Sequence, residues 1–377
     1  MKHMKRIAIL TTHRANNFGA MLQAYSLVTY LREQGAEAEI FDYRTPLFEK
    51  QYHTGWRFGR NPIRTLKYLY WYWHDERNAR RKFEEFRKTL PMSRPYPSRR
   101  SLLNAEKEYD VFIVGSDQVW KPAQTAPQNP IHFDRTYLLD FVNEKRKYAY
   151  ADSIGVSTIQ PESLIPEYDA AWRAFDGISM REKMGAQFVD GCIGKVIPTV
   201  VDPVFLHDCG FWRNIMSRLL LPERYVIVYN VQHYRKESLW MVGQAREFAE
   251  RIGAKVLNIL VPSAPGSRMG GCDLSVGPRE FLSLIEGAMA VFTNSFHATA
   301  FSILFKKQLF LHSADAYGNA NTRFDFLRSV AKMGVVQRAR NGVDEITVID
   351  CRSIKFDVLD AEIVASRRLL DSWIANG

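Results

Sequence analysis

Residues 6–41 read RIAILTTHRANNFGAMLQAYSLVTYLREQGAEAEIF. Arg6 to Thr12 is an apolar run of strand type, and His13 to Gly19 is a polar turn. From Ala20 to Gln34 the residues Leu22, Tyr25, Leu27, Val28 and Leu31 recur at helical spacing until Gly35 stops them. Glu37 to Phe41 is a second strand, ending at Asp42. Strand, helix and strand in so short a span predict a parallel sheet with helices on its faces. No G-x-G-x-x-G opens the first turn, so the dinucleotide fingerprint is missing. Asn16 and Asn17 stand there instead, at the carboxyl end of a strand, where open α/β sheets bind ligands. Turn chemistry is the plainer account of both, since Asn tolerates left-handed backbone.

The same alternation runs down the chain. Tyr109 to Val114 is a buried strand that breaks at Gly115-Ser116-Asp117-Gln118-Val119-Trp120. Glycine there allows close backbone approach to a ligand, with polar side chains beside it. Lys147 to Ala151 ends at Asp152-Ser153, Gly177 to Lys183 holds a short strand ending on Arg181, and Val196 to Val201 ends at Asp202-Pro203. In the second half, strands are expected at Tyr225–Val231, Lys255–Val261, Ala290–Asn294 and Gln308–Leu311. Helices are expected at Glu237–Arg251, Pro278–Gly287 and Arg323–Met333, and Asp360 to Ala375 reads as a terminal amphipathic helix able to pack on either half.

A chain of 377 residues exceeds what one hydrophobic core usually supports. The expected division is an α/β domain at 1–205, a second at 206–350 and a C-terminal helix at 351–377. Two such domains would face each other across a cleft, with polar strand ends from both sides in it.

Within the second domain, Ala290 to Phe305 reads AVFTNSFHATAFSILF. A strand running into a helix through Thr293-Asn294-Ser295 leaves backbone N–H groups and a positive helix end at one spot, which suits an anion. His297 falls in the first turn of that helix. The alternative is that Ser295 simply caps the helix and His297 is a satisfied first-turn residue.

Hydrophobic residues at 46% and charged residues at 24% are those of an ordinary globular protein. A net charge of +10 points to an anionic partner without choosing one. The four cysteines form no C-x-x-C pair, which argues against a zinc site or a disulfide framework and fits a reducing cytoplasm. No signal peptide or membrane-spanning segment is evident, and no metal is called for. Residues 56–90 form an insertion in which Tyr and Trp alternate with Arg and Lys. That mixture suits a membrane interface, a glycan surface or single-stranded nucleic acid, or else a helix packing its aromatics on the domain. Nucleic-acid binding ranks last, because the basic residues form no known module.

Taken together these residues resemble the polysaccharide pyruvyl transferase family. The resemblance is carried by Asn16 to Tyr25 (NNFGAMLQAY), Tyr109 to Trp120 (YDVFIVGSDQVW), Ile178 to Lys183, Val201-Asp202-Pro203, and Thr293 to Ser302 (TNSFHATAFS). It implies two Rossmann-like domains in an arrangement similar to GT-B glycosyltransferases, with the donor held mainly by the second. It also implies transfer of a pyruvyl group from phosphoenolpyruvate to a sugar of a polysaccharide or its lipid-linked precursor, giving a pyruvate ketal. Phosphoenolpyruvate would be a substrate, and no cofactor is implied.

On this resemblance the family's histidine falls on His297 and its arginine on Arg181, and these with Asp117 are the candidate catalytic residues. Asn16, Asn17, Gln23, Ser116, Gln118, Trp120, Asn294, Ser295 and Arg323 are the candidate substrate contacts. Two departures stand out. Ser295 occupies a place where many relatives carry arginine, leaving Arg323 or Lys306 to replace that cation, and Ala298 replaces a usual glycine. The rivals are a GT-B glycosyltransferase using a sugar nucleotide and a non-catalytic glycan- or membrane-binding protein. The expected location is the cytoplasm, with peripheral contact at the inner face of the plasma membrane left open by the insertion.

Overall fold

The computed structural model describes residues 4–44, 66, 69–70, 73, 77–121, 135–155, 166–231, 235–260, 272–312, 323–330, 335–341 and 344–376. In chain order the first half comprises β1 (Arg6–Leu10), α1 (Phe18–Glu33), β2 (Glu37–Ile40), α2 (Arg77–Arg87), β3 (Val111–Asp117), β4 (Arg146–Asp152), α3 (Pro166–Arg173), β5 (Gly177–Met180) and α4 (Lys183–Ile193). A 3-10 turn, Pro203–Leu206, and α5 (Cys209–Asn214) lead onward. Then come β6 (Tyr225–Tyr229), α6 (Arg235–Ile252), β7 (Lys255–Ile259), β8 (Cys272–Leu274), α7 (Pro278–Gly287), β9 (Ala290–Thr293), α8 (Phe296–Leu304) and β10 (Gln308–His312). The chain closes with α9 (Arg323–Val330), β11 (Val335–Asn341), β12 (Asp344–Asp350) and α10 (Asp357–Asn376).

Two sheets result, in the order β2-β1-β3-β4-β5 and β11-β12-β10-β9-β6-β7-β8. The first is parallel throughout. The second is parallel from β10 to β8 and carries an antiparallel β11–β12 hairpin on one edge. This is the two-unit α/β architecture that the alternating pattern predicts. In the parallel part of each sheet the connections reverse direction once, between β1 and β3 in the first and between β6 and β9 in the second. Crevices at such reversals, outside the carboxyl ends of the strands, are where open α/β sheets bind ligands.

The units are joined by aromatic packing around the start of α1. Phe18 stacks on Phe281 of α7 at 4.4 Å and meets Phe83 of α2 at 5.1 Å and Tyr229 of β6 at 5.4 Å. Helix α10 runs back to the first sheet, where Trp373 stacks on Tyr148 of β4 at 4.7 Å. Tyr30 of α1 donates to Asp371, and the Val201 amide donates to Ser366. The ambiguity over where the last helix packs is thereby settled in favour of the first sheet, although α9 of the second unit also touches it.

Two expectations need correction, and one element is an addition. Val196 to Val201 is not a strand; a single bridge joins Thr199 to Met180, because Pro198 has no N–H to continue a ladder. Strand β3 does not break at Gly115 but runs on through Ser116 and Asp117, with Gly115 at φ 107° and Asp117 at φ 83°. The hairpin β11–β12 was not foreseen, and the helix expected to reach Met333 is described only to Val330. Of the insertion, residues 66, 69–70, 73 and 77–90 are described, and the rest of that expectation lies outside the described residues. Helix α2 packs Phe83 and Phe86 into the core between the units, with Lys82 paired to Glu280 at 3.0 Å, whereas Leu66, Tyr70 and Trp73 are exposed.

Candidate active site

The site forms where both sheet reversals meet. From the first unit, β1 delivers Thr11 and Thr12, β3 delivers Ser116 and Asp117, and the residue after β5 is Arg181. From the second unit, β9 feeds through Asn294 and Ser295 into α8, whose first turn holds His297. Between them stands Asp202, next to the 3-10 turn that it caps by accepting from the Val204 amide at 3.1 Å.

Asp202 is the hub. Its Oδ2 accepts from Arg181 Nη1 at 2.7 Å and lies 3.4 Å from both Ser116 Oγ and His297 Nε2. Asp202 is fully buried and Arg181 is 1% exposed. Burial pushes the Asp202 carboxyl up, but His297 and Arg181 together outweigh it and hold the group well below the usual carboxylate range. Burial likewise disfavours the Arg181 cation, yet Asp202, Asp117 and Glu182 more than restore it. Removing one partner of such a pair costs about 3–5 kcal/mol, since the other charge is left buried and alone.

Each member is held by a second contact. The Arg181 guanidinium lies over the Phe296 ring at 4.2 Å, so the residue before His297 also seats the arginine. Asp117 lies 3.5 Å from Arg181 Nη2 and accepts from Thr12 Oγ1 at 3.1 Å; its side chain is 20% exposed, making it the solvent-facing member. The imidazole of His297 is seated against Gly19, where a Cβ would overlap ring atoms Nδ1 and Cγ and lie 2.7 Å from Cε1. Among the described residues, Arg181 Nε and His297 Nε2 have no hydrogen-bond partner of good geometry, although both are buried. Two buried donors beside a helix N-terminus suit the oxygens of an anion.

Other sequence-selected residues are spent on architecture. Trp120 is not at the site: it is fully buried in the first unit, donates to the Tyr137 carbonyl at 2.9 Å and packs against Trp172. The chain after β3 dives into the core there, which is why a tryptophan follows the polar turn. Gln23 is also fully buried, bonding Thr11 Oγ1 at 2.7 Å, the Ala20 carbonyl and the Ser116 amide, so it braces the loop from beneath. Asn16 accepts from Arg87 at 3.1 Å, and Asn17 caps α1 through the Ala20 amide. Ser116 donates to the Ala151 carbonyl at 2.7 Å. Asn294 accepts from the Val231 amide at 2.8 Å and donates to Asn230, closing the β6–β9 crevice. Ser295 caps α8 through the Ala298 amide at 3.3 Å. Gln118 is half-buried beside Gly155, and Arg323 begins α9, its side chain lying outside the described residues. Lys306 stands past the far end of α8, over Phe356, and so does not replace an arginine at Ser295.

Sequence reading passed over Gly19 and Asp202 as site residues, although both lie within the quoted motifs. It also passed over a buried acidic pair next to the site. Asp152, at the end of β4, is fully buried with neither oxygen hydrogen-bonded among the described residues. Its neighbour Glu182 accepts through Oε1 from Ser153 Oγ and the Ile154 amide, both at 2.9 Å, and its Oε2 has no hydrogen-bond partner among the described residues. Burial, then Glu182, push the Asp152 carboxyl well above its usual range, against the pull of Arg181. Among the described residues no group of three or more His, Cys, Asp or Glu is placed to hold a metal ion.

Among solved structures the chain is similar to the UDP-GlcNAc 2-epimerase from Methanocaldococcus jannaschii, with 11% identity over 86% of this chain and 87% of that one and a TM-score of 0.48. The UDP-N-acetylglucosamine 2-epimerase from Rickettsia bellii is 8% identical over 99% and 98%, with a TM-score of 0.48. A spinosyn forosaminyltransferase is 13% identical over 99% and 95%, with a TM-score of 0.44. No curated protein sequence matches the chain significantly. A sequence model of one family does match, from residue 17 to residue 311. That span takes in Gly19, Asp117, Arg181, Asp202 and His297 and well over half of the sequence, and the chain belongs to the polysaccharide pyruvyl transferase family.

Proposed function

We propose that this transferase moves a pyruvyl group from phosphoenolpyruvate onto two hydroxyls of one sugar, in a polysaccharide or its lipid-linked precursor, forming a cyclic ketal and releasing phosphate. One observation supports the reading above the rest: Arg181 and His297, from opposite units, converge on a single buried carboxylate oxygen at 2.7 Å and 3.4 Å. Side chains that hold a carboxylate in this way suit the carboxylate or phosphate of the donor, and the N-terminus of α8 adds a positive end.

In the proposed reaction, protonation of the donor's methylene carbon places positive charge on its central carbon. One sugar hydroxyl attacks there and gives its proton to a base. The second hydroxyl then displaces phosphate: its C–O bond forms as the carbon–phosphate-oxygen bond breaks, and its proton is lost. Arg181 and the helix end offset the charge on the departing phosphate. His297 is assigned carboxylate binding or proton transfer, and Asp117 the base on the acceptor side, where it meets solvent. Arg323 remains the candidate for the cation that Ser295 does not supply. No cofactor is proposed.

The proposed setting is the cytoplasm, with the insertion contacting the inner face of the plasma membrane. Exposed Leu66, Tyr70 and Trp73, with Arg77 over the Trp73 ring at 4.5 Å, support that contact. No helix among the described residues is long and apolar enough to cross a membrane.

The test is incubation with phosphoenolpyruvate and candidate acceptors, following phosphate release and the mass gain of a pyruvyl ketal. Arg181→Ala and His297→Ala are each expected to lower turnover about 100-fold or more. Full turnover in both would remove the assignment.

A further inference from the structure

The centre of the site is itself an anion. Asp202 Oδ2 gathers a guanidinium N–H at 2.7 Å, a hydroxyl at 3.4 Å and an imidazole nitrogen at 3.4 Å. The group is fully buried, while Oδ1 faces away to cap the Val204 amide. Three polar groups from three elements around one oxygen form the environment an anionic ligand oxygen would need. Among the described residues Arg181 Nε has no hydrogen-bond partner, and His297 Nε2, 3.4 Å from Asp202, is not in good hydrogen-bonding geometry with it. Arg181 has a second carboxylate within reach, Asp117 at 3.5 Å, so Asp202 fixes which way the guanidinium points. The imidazole is pressed from its other side by Gly19, so Asp202 and Gly19 together bracket the ring.

From this arrangement we propose that Asp202 is a positioning residue that holds Arg181 and His297 in register across the two units and competes with the incoming anion for them. The proposal rests on the reading of the site as a phosphoenolpyruvate site and adds a trade-off to it: alignment of the two side chains at the expense of affinity. A group that merely stabilises the fold would, when neutralised, weaken binding and turnover together. Asp202 should separate them.

The experiment compares wild type, Asp202→Asn and Asp202→Glu by calorimetric titration with inorganic phosphate and with phosphoenolpyruvate, alongside steady-state kinetics. Asparagine keeps an oxygen to cap the Val204 amide, and Asn is as good a cap as Asp. Loss of the competing charge is expected to tighten phosphate and donor binding about tenfold, with kcat falling about tenfold or more as Arg181 turns toward Asp117. Asp202→Glu keeps the charge, so its anion affinity should stay near that of wild type even where its kcat falls. Weaker anion binding in Asp202→Asn, or an unchanged kcat, overturns the role. If wild type transfers pyruvyl groups while Asp202→Asn binds donor more weakly, the function stands and the role of Asp202 falls. If wild type binds no phosphoenolpyruvate but Asp202→Asn gains phosphate affinity, the role stands and the choice of donor falls.

Discussion

His297 owes its position to a residue with no side chain. Gly19 lies in the first turn of α1, and any Cβ there would intrude on the imidazole, which is already bracketed by Asp202. Gly19→Ala should therefore leave the helix intact, since Ala is the better helix former, and displace the ring instead. The expected outcome is a kcat reduced about 100-fold with a stability loss of about 1–3 kcal/mol from the overpacked ring and the fold retained, checked by steady-state kinetics beside a melting curve. At this scale the convergence was legible: Arg181 and Asp117 stand at strand ends and His297 in the first turn of the helix after one, and the fold brings all three around Asp202 and Arg181. What could not be read was direction. Trp120 and Gln23 sit in the same motifs yet are buried, Trp120 because a strand end that turns downward looks the same in sequence as one that turns toward solvent, and Gln23 because it lies on the inner face of α1.

At the level of elements, the strand ends are where buried charge accumulates, and two neighbouring aspartates answer pH in opposite senses. Asp202 is held below its usual range by its cations, so its contribution is present above the unfolded value and lost only in acid. Asp152, at the end of β4, is raised above the unfolded value of 3.8. From about pH 4 upward the folded chain therefore holds a proton that the unfolded chain has released, and stability declines as pH rises. Asp152→Asn needs no such proton. It is expected to melt about 2–4 °C above wild type near neutral pH, with the gain shrinking toward about pH 4, in melting curves taken across that range. Several element boundaries in the regular β/α repeats were readable to within two residues, α7 to the residue, because apolar periodicity and proline or glycine punctuation agree there, whereas β3 runs three residues past its expected end. The Val196–Val201 segment and the β11–β12 hairpin were not, because the first owes its course to Pro198 and the second to pairing with β10, a contact distant in sequence.

On the scale of the whole molecule, the contacts that join the two units include the aromatic cluster around Phe18, and α10 carries Trp373 onto Tyr148 and Tyr150 of the first sheet. Gly177 lets that indole lie close, since a Cβ there would stand 2.9 Å from its Nε1. Trp373→Ala is expected to cost about 3–5 kcal/mol in denaturant unfolding, and to loosen β4 and β5 rather than the second sheet, which amide exchange would locate. The two-unit plan was legible from length and alternation alone. The return of the tail was not, because amphipathic periodicity says that a helix packs without saying on what.

That return has a consequence for synthesis. Chains generally fold from the amino terminus as they are made. Here the face of the first sheet around Tyr148 and Tyr150 is covered by a helix that begins at Asp357, made only after the whole of the second sheet. The first unit, made before the second, is thus among the last parts to be finished, and until then its aromatic surface is open to the cell.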